Sequence, residues 1–341
     1  MIRTLARLVV SALILLVAGE AAARAFWRFN FNLSLREPQH VLFAFYPELR
    51  RMDAIRPSRD HAVYDVLMLG ESVVHSGWGE VERALVERFA REGHHTVRMS
   101  NLAVPGHTSR DSLLKYAAAP DARFDLVIVY DGINETRANN APPDVFRDDY
   151  GHYPWYEVVN AMAPYHGTAR MALPYTLTYL AIRMRQTMYR SRYMPAGGIR
   201  DEWAEFGKDA RSAVSFERNL GAILNIASGR GDRVMLMTVA TSVPDDYSLQ
   251  AFQDRRLDYD LHASPIEMWG RKADVVNTIA RHNDVIRRLA ARTSDVLFVD
   301  QAALMPGGKM YFNDICHLTV VGSLKFVENL FAVLRPSLDS R

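Results

Sequence analysis

The sequence predicts an α/β fold, a parallel sheet covered by helices on both faces, and three features carry that expectation. Short apolar runs, such as residues 64–69 and 125–130, are bounded by glycine or polar residues, as strands buried on both faces are. Stretches with apolar residues at helical spacing separate these runs. The two kinds of segment alternate at the length of strand–helix units, which lay each strand parallel to its neighbours.

In chain order, residues 64–69 read as the first strand, stopped by Gly70. Residues 81–92 form a helix through Val81, Leu85, Val86 and Phe89, with Gly93 as its stop. Residues 96–104 read as the second strand, ending at Pro105-Gly106. Residues 109–118 form a helix with Ser109 as N-cap. The run 125–130 is the strongest strand of the chain. Helix 213–228 precedes strand 233–239, helix 271–293 precedes strand 296–299, and a last helix covers about 319–334. Residues 136–212, rich in Tyr, Pro, Met and Arg, interrupt the alternation and hold a candidate basic helix over 175–193. They read as a cap or packing insertion, with a substrate lid or a membrane-surface contact as alternatives.

Composition narrows the classes. With 341 residues, 49% hydrophobic and 23% charged, the chain is globular rather than collagen-like, disordered or stapled by disulfides. Lys and Arg number 41 against 39 acidic residues, a net charge of +2 that makes no case for a nucleic-acid partner. One cysteine, Cys316, excludes an intramolecular disulfide and any cysteine-cluster metal site.

The first thirty residues read as an export segment. Arg3 and Arg7 precede an uncharged run, 8–19, and residues 21–25 offer small side chains for cleavage. A helix over residues 5–27 would span roughly 34 Å, enough to cross a bilayer, with Trp27 and Arg28 at the far interface. Glu20 counts against deep burial in hydrocarbon. The preferred reading is a single-pass inner-membrane anchor with a periplasmic domain; a cleaved signal and a buried soluble helix are the alternatives. The expected organisation is a signal anchor or signal peptide over 1–28, a connector over 29–62 and a domain over 63–336 that contains the insertion 136–212.

The residues that follow the strands carry the chemistry. The first strand delivers Gly70-Glu71-Ser72, the second residues 101–106, and the third Asp131-Gly132-Ile133-Asn134-Glu135; Asp314-Ile315-Cys316-His317 opens the final helix. A serine on a strand–helix turn can be exposed as a nucleophile but needs a base, for which His317 is the candidate. Asp314, three residues earlier, can accept from the other ring nitrogen and orient it. The Ser72 and Gly106 backbone N–H groups and the Asn134 amide could form an oxyanion hole. Glycine at 106 allows an unusual backbone conformation and close approach to a substrate.

These four pieces, in this order, resemble the SGNH hydrolases, also called the GDSL esterase/lipase family. Block I resembles Leu69-Gly70-Glu71-Ser72, with Glu where the family name has Asp. Block II resembles residues 101–106, block III Gly132-Ile133-Asn134-Glu135, and block V residues 314–319. The resemblance covers roughly 64–334 apart from the insertion. It implies a flavodoxin-like three-layer α/β/α sandwich, catalysis without metal or cofactor, and roles for each residue. Ser72 would be the nucleophile, His317 the base and Asp314 its orienting acid, with Gly106 and Asn134 completing the oxyanion hole. The departure at Glu71 leaves the nucleophile in place and is expected to matter little. The N-terminal segment resembles that of bacterial envelope members acting on acylated carbohydrates.

The expectation is therefore a serine esterase cleaving a short acyl ester, such as acetyl, on a carbohydrate or envelope polysaccharide. The alternatives are an O-acyltransferase to a sugar hydroxyl, or a catalytically silent polysaccharide-binding or assembly protein using Trp155, Tyr156, Trp203 and Trp269 as stacking platforms. Among other candidates, His94-His95 with Arg91 read as a solvated helix end, His75 as pocket wall or surface, and Cys316 as a small buried filler. Asp245-Asp246 and the acidic residues of 254–260 read as a solvated face rather than a substrate contact.

Overall fold

Five strands form one parallel sheet, β1 (Val63–Gly70), β2 (Thr96–Asn101), β3 (Leu126–Tyr130), β4 (Val234–Met237) and β5 (Val296–Val299). Their order is β2-β1-β3-β4-β5, the doubly wound order of flavodoxin-like sheets. The structure, a computed structural model, describes residues 2–52, 63–92, 96–195 and 198–338. Among the described residues six α-helices come before the fourth strand: α1 (Ile2–Phe31), α2 (Val81–Glu92), α3 (Ser109–Ala117), α4 (Pro154–Met162), α5 (Leu173–Met188) and α6 (Ser212–Arg230). Four follow it: α7 (Leu249–Gln253), α8 (Lys272–Arg292), α9 (Gln301–Leu304) and α10 (Val320–Leu338).

The chain divides into two compact units, one of residues 1–50 with 149–193 and the other of residues 51–148 with 194–341. In the second unit α2 packs on α10, while α3, α6 and α8 pack in series. Val66, Met68, Leu126, Ile128, Met235 and Met237 are buried with Phe89, Phe326, Leu330 and Phe331. Each such side chain contributes about 1.5–3 kcal/mol on leaving water. β3 is buried at every position, which is why its run carries no alternation. β2 ends at Asn101 rather than at 104, although Leu102 N still donates to Met68 O. The N-cap of α3 is Thr108, not Ser109: Thr108 and Asp111 form a capping box. Register aligns Gly70 with Tyr130 and Met68 with Asn101, so the carboxyl ends of β1, β2 and β3 reach one edge of the sheet.

The first unit joins the N-terminal helix to the middle of the insertion. α1 is the one helix among the described residues long and apolar enough to cross a membrane. Its apolar side chains from Ile2 to Val17 are exposed, whereas Ala23 and Trp27 are buried. The Trp27 ring packs on Phe31, Phe45, Tyr175 and Tyr179, and its Nε1–H donates to Thr176 Oγ1 at 2.8 Å. Glu20 accepts from the backbone N–H groups of Ala172 and Leu173, each at 2.9 Å. It supplies the cap that Ala172 cannot, at the N-terminus of α5. The basic helix thus begins at Leu173, where Pro174 suits a first turn, and ends at Met188. Residues 38–44 and 47–51 form short 3-10 turns with Val41, Leu42 and Leu49 buried and Tyr46 buried between them, so this part of the connector is packed. Residues 53–62 of the connector lie outside the described residues, as do His94 and His95.

Candidate active site

Gly70 ends β1 beneath the neighbouring strand, where a Cβ would lie 2.6 Å from Tyr130 O and 2.7 Å from Val74 Cγ2. Only glycine lets the chain turn there. Ser72 then opens a 3-10 turn, Ser72–Val74, that lifts its hydroxyl off the strand. Gly106, at φ +80°, turns the chain between β2 and α3 in the left-handed region.

Ser72, His317 and Asp314, 245 residues apart at the extremes, meet at this edge. Ser72 Oγ lies 2.8 Å from His317 Nε2. His317 Nδ1 lies 2.8 Å and 3.0 Å from the two Asp314 carboxylate oxygens. A carboxylate only accepts, so Nδ1 carries the hydrogen and Nε2 is free to accept from the serine hydroxyl. Asp314 is fully buried and also accepts from the backbone N–H groups of Cys316, His317 and Ser264 at 3.0, 2.9 and 3.1 Å. Those bonds fix the carboxylate before it fixes the imidazole. Burial pushes the Cys316 thiol well above its ordinary pKa, with the Asp314 charge adding to the effect, so it stays protonated. That state suits filler and not nucleophile.

The loop after β3 is held from three sides. Glu71 is buried and accepts from the N–H groups of Gly132, Ile133 and Asn134 at 2.9, 2.9 and 3.0 Å. The carboxylate thus clamps the loop that bears Asn134, a role that sequence alone did not assign to Glu71. Burial raises the Glu71 pKa, and the neighbouring Glu135 and Asp131 carboxylates raise it further against the Ile133 and Asn134 N–H bonds. From the other side His282 Nδ1 sits 2.7 Å from Gly132 O. The Asn134 amide donates through Nδ2 to His107 O at 2.9 Å, beside Gly106, and accepts at Oδ1 from Trp269 Nε1–H at 2.9 Å. Among the described residues its second amide hydrogen meets no acceptor.

Two tryptophans at this edge were not singled out by sequence for these roles. Trp78 is exposed, with its ring centroid 5.3 Å from that of His317. His75 shapes the turn that carries it, accepting from Gly77 N at 3.1 Å. Trp269 is buried on Asn134, and Trp203 and Tyr156 are buried as well, so none of the three is a stacking platform; Trp155 alone of that set is partly exposed. Asp245, Asp246, Asp254, Asp258 and Asp260 are exposed, as a solvated face is.

No family model matches the sequence, and no curated protein matches it. Solved structures do. A GDSL-like lipase from Bacteroides thetaiotaomicron VPI-5482 is similar at 15% identity and a TM-score of 0.46, over 87% of this chain and 98% of that one. A putative acylhydrolase from Bacteroides fragilis NCTC 9343 is similar at 13% identity and a TM-score of 0.45, over 85% and 94%. An acetylxylan esterase from Geobacillus stearothermophilus is similar at 14% identity and a TM-score of 0.42, over 80% and 94%. At such identities the site stands on its own geometry.

Proposed function

We propose that the protein is a serine esterase of SGNH type that cleaves a short acyl ester, such as acetyl, on a carbohydrate. The observation that carries this reading is the hydrogen-bonded line from Ser72 Oγ through His317 to the buried Asp314. His317 Nε2 takes the Ser72 proton as Oγ attacks the ester carbonyl carbon. The carbonyl oxygen becomes an oxyanion, met by the Ser72 and Gly106 N–H groups and the second Asn134 amide hydrogen. The tetrahedral adduct collapses, the ester C–O bond breaks, and His317 returns the proton to the leaving alkoxide. Water then enters, gives its proton to His317 and attacks the acyl carbon; Ser72 Oγ leaves and recovers a proton, and the carboxylic acid departs.

Trp78 supports a carbohydrate substrate, since an exposed indole beside the base offers a flat face to a sugar ring. The N-terminal half of α1 supports a membrane-anchored protein with its catalytic unit on the periplasmic side. The test is hydrolysis of p-nitrophenyl acetate and labelling by a fluorophosphonate, with the Ser72→Ala variant in parallel. Serine-dependent turnover and labelling are expected, with turnover lost in Ser72→Ala while its unfolding midpoint holds. Turnover that survives the substitution places the nucleophile elsewhere. An unreactive wild-type serine sinks the esterase reading.

A further inference from the structure

An amide side chain can serve an oxyanion only if its nitrogen, and not its oxygen, faces the reacting carbonyl. Asparagine's two ends are nearly the same size, so packing alone does not choose between them. Here two groups of opposite character choose. The Trp269 indole N–H can only donate, and it points at Oδ1 from 2.9 Å. The His107 carbonyl can only accept, and it lies 2.9 Å from Nδ2. A flipped amide would set donor against donor and acceptor against acceptor around a side chain only 7% exposed, where lost bonds are costly.

Trp269 is well placed to enforce this. It is 3% exposed and follows the 3-10 turn Ile266–Met268, with its backbone N–H donating to Ile266 O at 3.0 Å. Its carbonyl accepts from Asn140 Nδ2 at 2.9 Å, and Asn140 lies on the same 3-10 turn, Asn134–Asn140, that Asn134 begins. The two ends of the contact are therefore tied twice, once by side chain and once by backbone.

We propose that Trp269 is a positioning residue that orients the Asn134 amide for oxyanion stabilisation, through its indole N–H. The proposal rests on the esterase reading for its kinetic consequence and on geometry alone for its structural one. Trp269→Phe keeps an aromatic ring, though a smaller one, and deletes the donor. It lowers kcat by about tenfold with KM nearly unchanged, a fraction of the roughly 10²–10³-fold cost of losing an oxyanion donor outright. In an Asn134→Ala background the same substitution has little further effect, because the group it orients is gone. Replacing Trp269 with benzothienylalanine, which keeps the bicyclic shape without the N–H, reproduces the loss if Trp269→Phe does not fold.

A second readout needs no turnover. In the ¹⁵N-labelled protein the Trp269 indole resonance shifts on Asn134→Ala, and the Asn134 side-chain amide resonances shift on Trp269→Phe. Unchanged resonances in both overturn the proposal whether or not the protein hydrolyses esters. An active wild type with full kcat in a folded Trp269→Phe, or additive losses in the double variant, overturns it while leaving the esterase reading intact. An inactive wild type with the expected shifts upholds the orientation and sinks only the esterase reading.

Discussion

His282 is fully buried and engaged at both ring nitrogens, Nδ1 with Gly132 O at 2.7 Å and Nε2 with Ser212 Oγ at 2.9 Å. A carbonyl only accepts, so Nδ1 bears the hydrogen and the ring sits neutral behind the loop that carries Asn134. Burial pushes its pKa down from 6.5 to about 4, with the Gly132 bond opposing. The unfolded chain takes the proton more readily, so the stability contributed by this group is complete above pH 6.5 and is lost as pH falls towards 4. At about 1.4 kcal/mol per pH unit the loss reaches roughly 3 kcal/mol. The unfolding midpoint of His282→Gln, followed from pH 7 to 4.5, is expected to fall less steeply than that of the wild type; parallel slopes would sink the idea. The buried carboxylates of Glu71, Asp131 and Glu135, all raised by burial, act in the opposite sense and are common to both proteins. Ser72, Asp314 and His317 were legible in sequence because each lies in a short motif at a strand or helix end. The roles of Glu71 and Trp269 were not, since their partners lie 61 to 63 and 135 residues away. Trp78 had a local signal, its place six residues after Ser72, that would have served.

At the scale of elements, α5 begins without a cap of its own and takes one from α1, 152 residues earlier in the chain. Glu20→Ala removes both acceptors at once, and the cost of a lost cap is about 1 kcal/mol. Thermal unfolding of the detergent-solubilised full chain should shift down by about 2 °C. Glu20→Gln, which keeps one good acceptor, should shift it less. An unmoved midpoint in Glu20→Ala would show that water caps α5 as well as Glu20 does. The strands were legible because a parallel sheet buries both faces, so β3 announces itself as an unbroken apolar run and β1 as one interrupted at Asp65. The α5 cap was not, because the glutamate that makes it sits inside a hydrophobic stretch where it reads only as an intruder. The α3 cap was readable one residue earlier than Ser109, since Thr108 and Asp111 stand at capping-box spacing.

For the whole molecule, the sheet order and the level ends of β1, β2 and β3 bring Ser72, Gly106 and Asn134 to one edge, as doubly wound sheets do. The alternation of strands and helices made that arrangement legible. What it left unread was the grouping of residues 149–193 with the N-terminus, since contacts of such sequence separation leave no local pattern. The burial of Ala23 and Trp27 locates where the chain can be shortened. Removal of residues 1–17 takes, among the described residues, only exposed side chains and should leave the unfolding midpoint and the turnover of p-nitrophenyl acetate within error of the full chain. Removal of residues 1–28 takes Trp27 from its aromatic cluster, worth about 3–5 kcal/mol for a buried tryptophan, and should lower the midpoint and the soluble yield. Equal midpoints for the two truncations would refute this.

The unbroken course of α1 has a mechanical consequence. Thirty residues of helix make a rod of roughly 45 Å, whose exposed apolar half runs into its packed half without a break in the helix. A helix of this kind transmits rotation as well as position. Were a bilayer to hold the apolar half at a given tilt, the Trp27 cluster and α5 would inherit that tilt, as a blade follows its handle, instead of swinging on a tether.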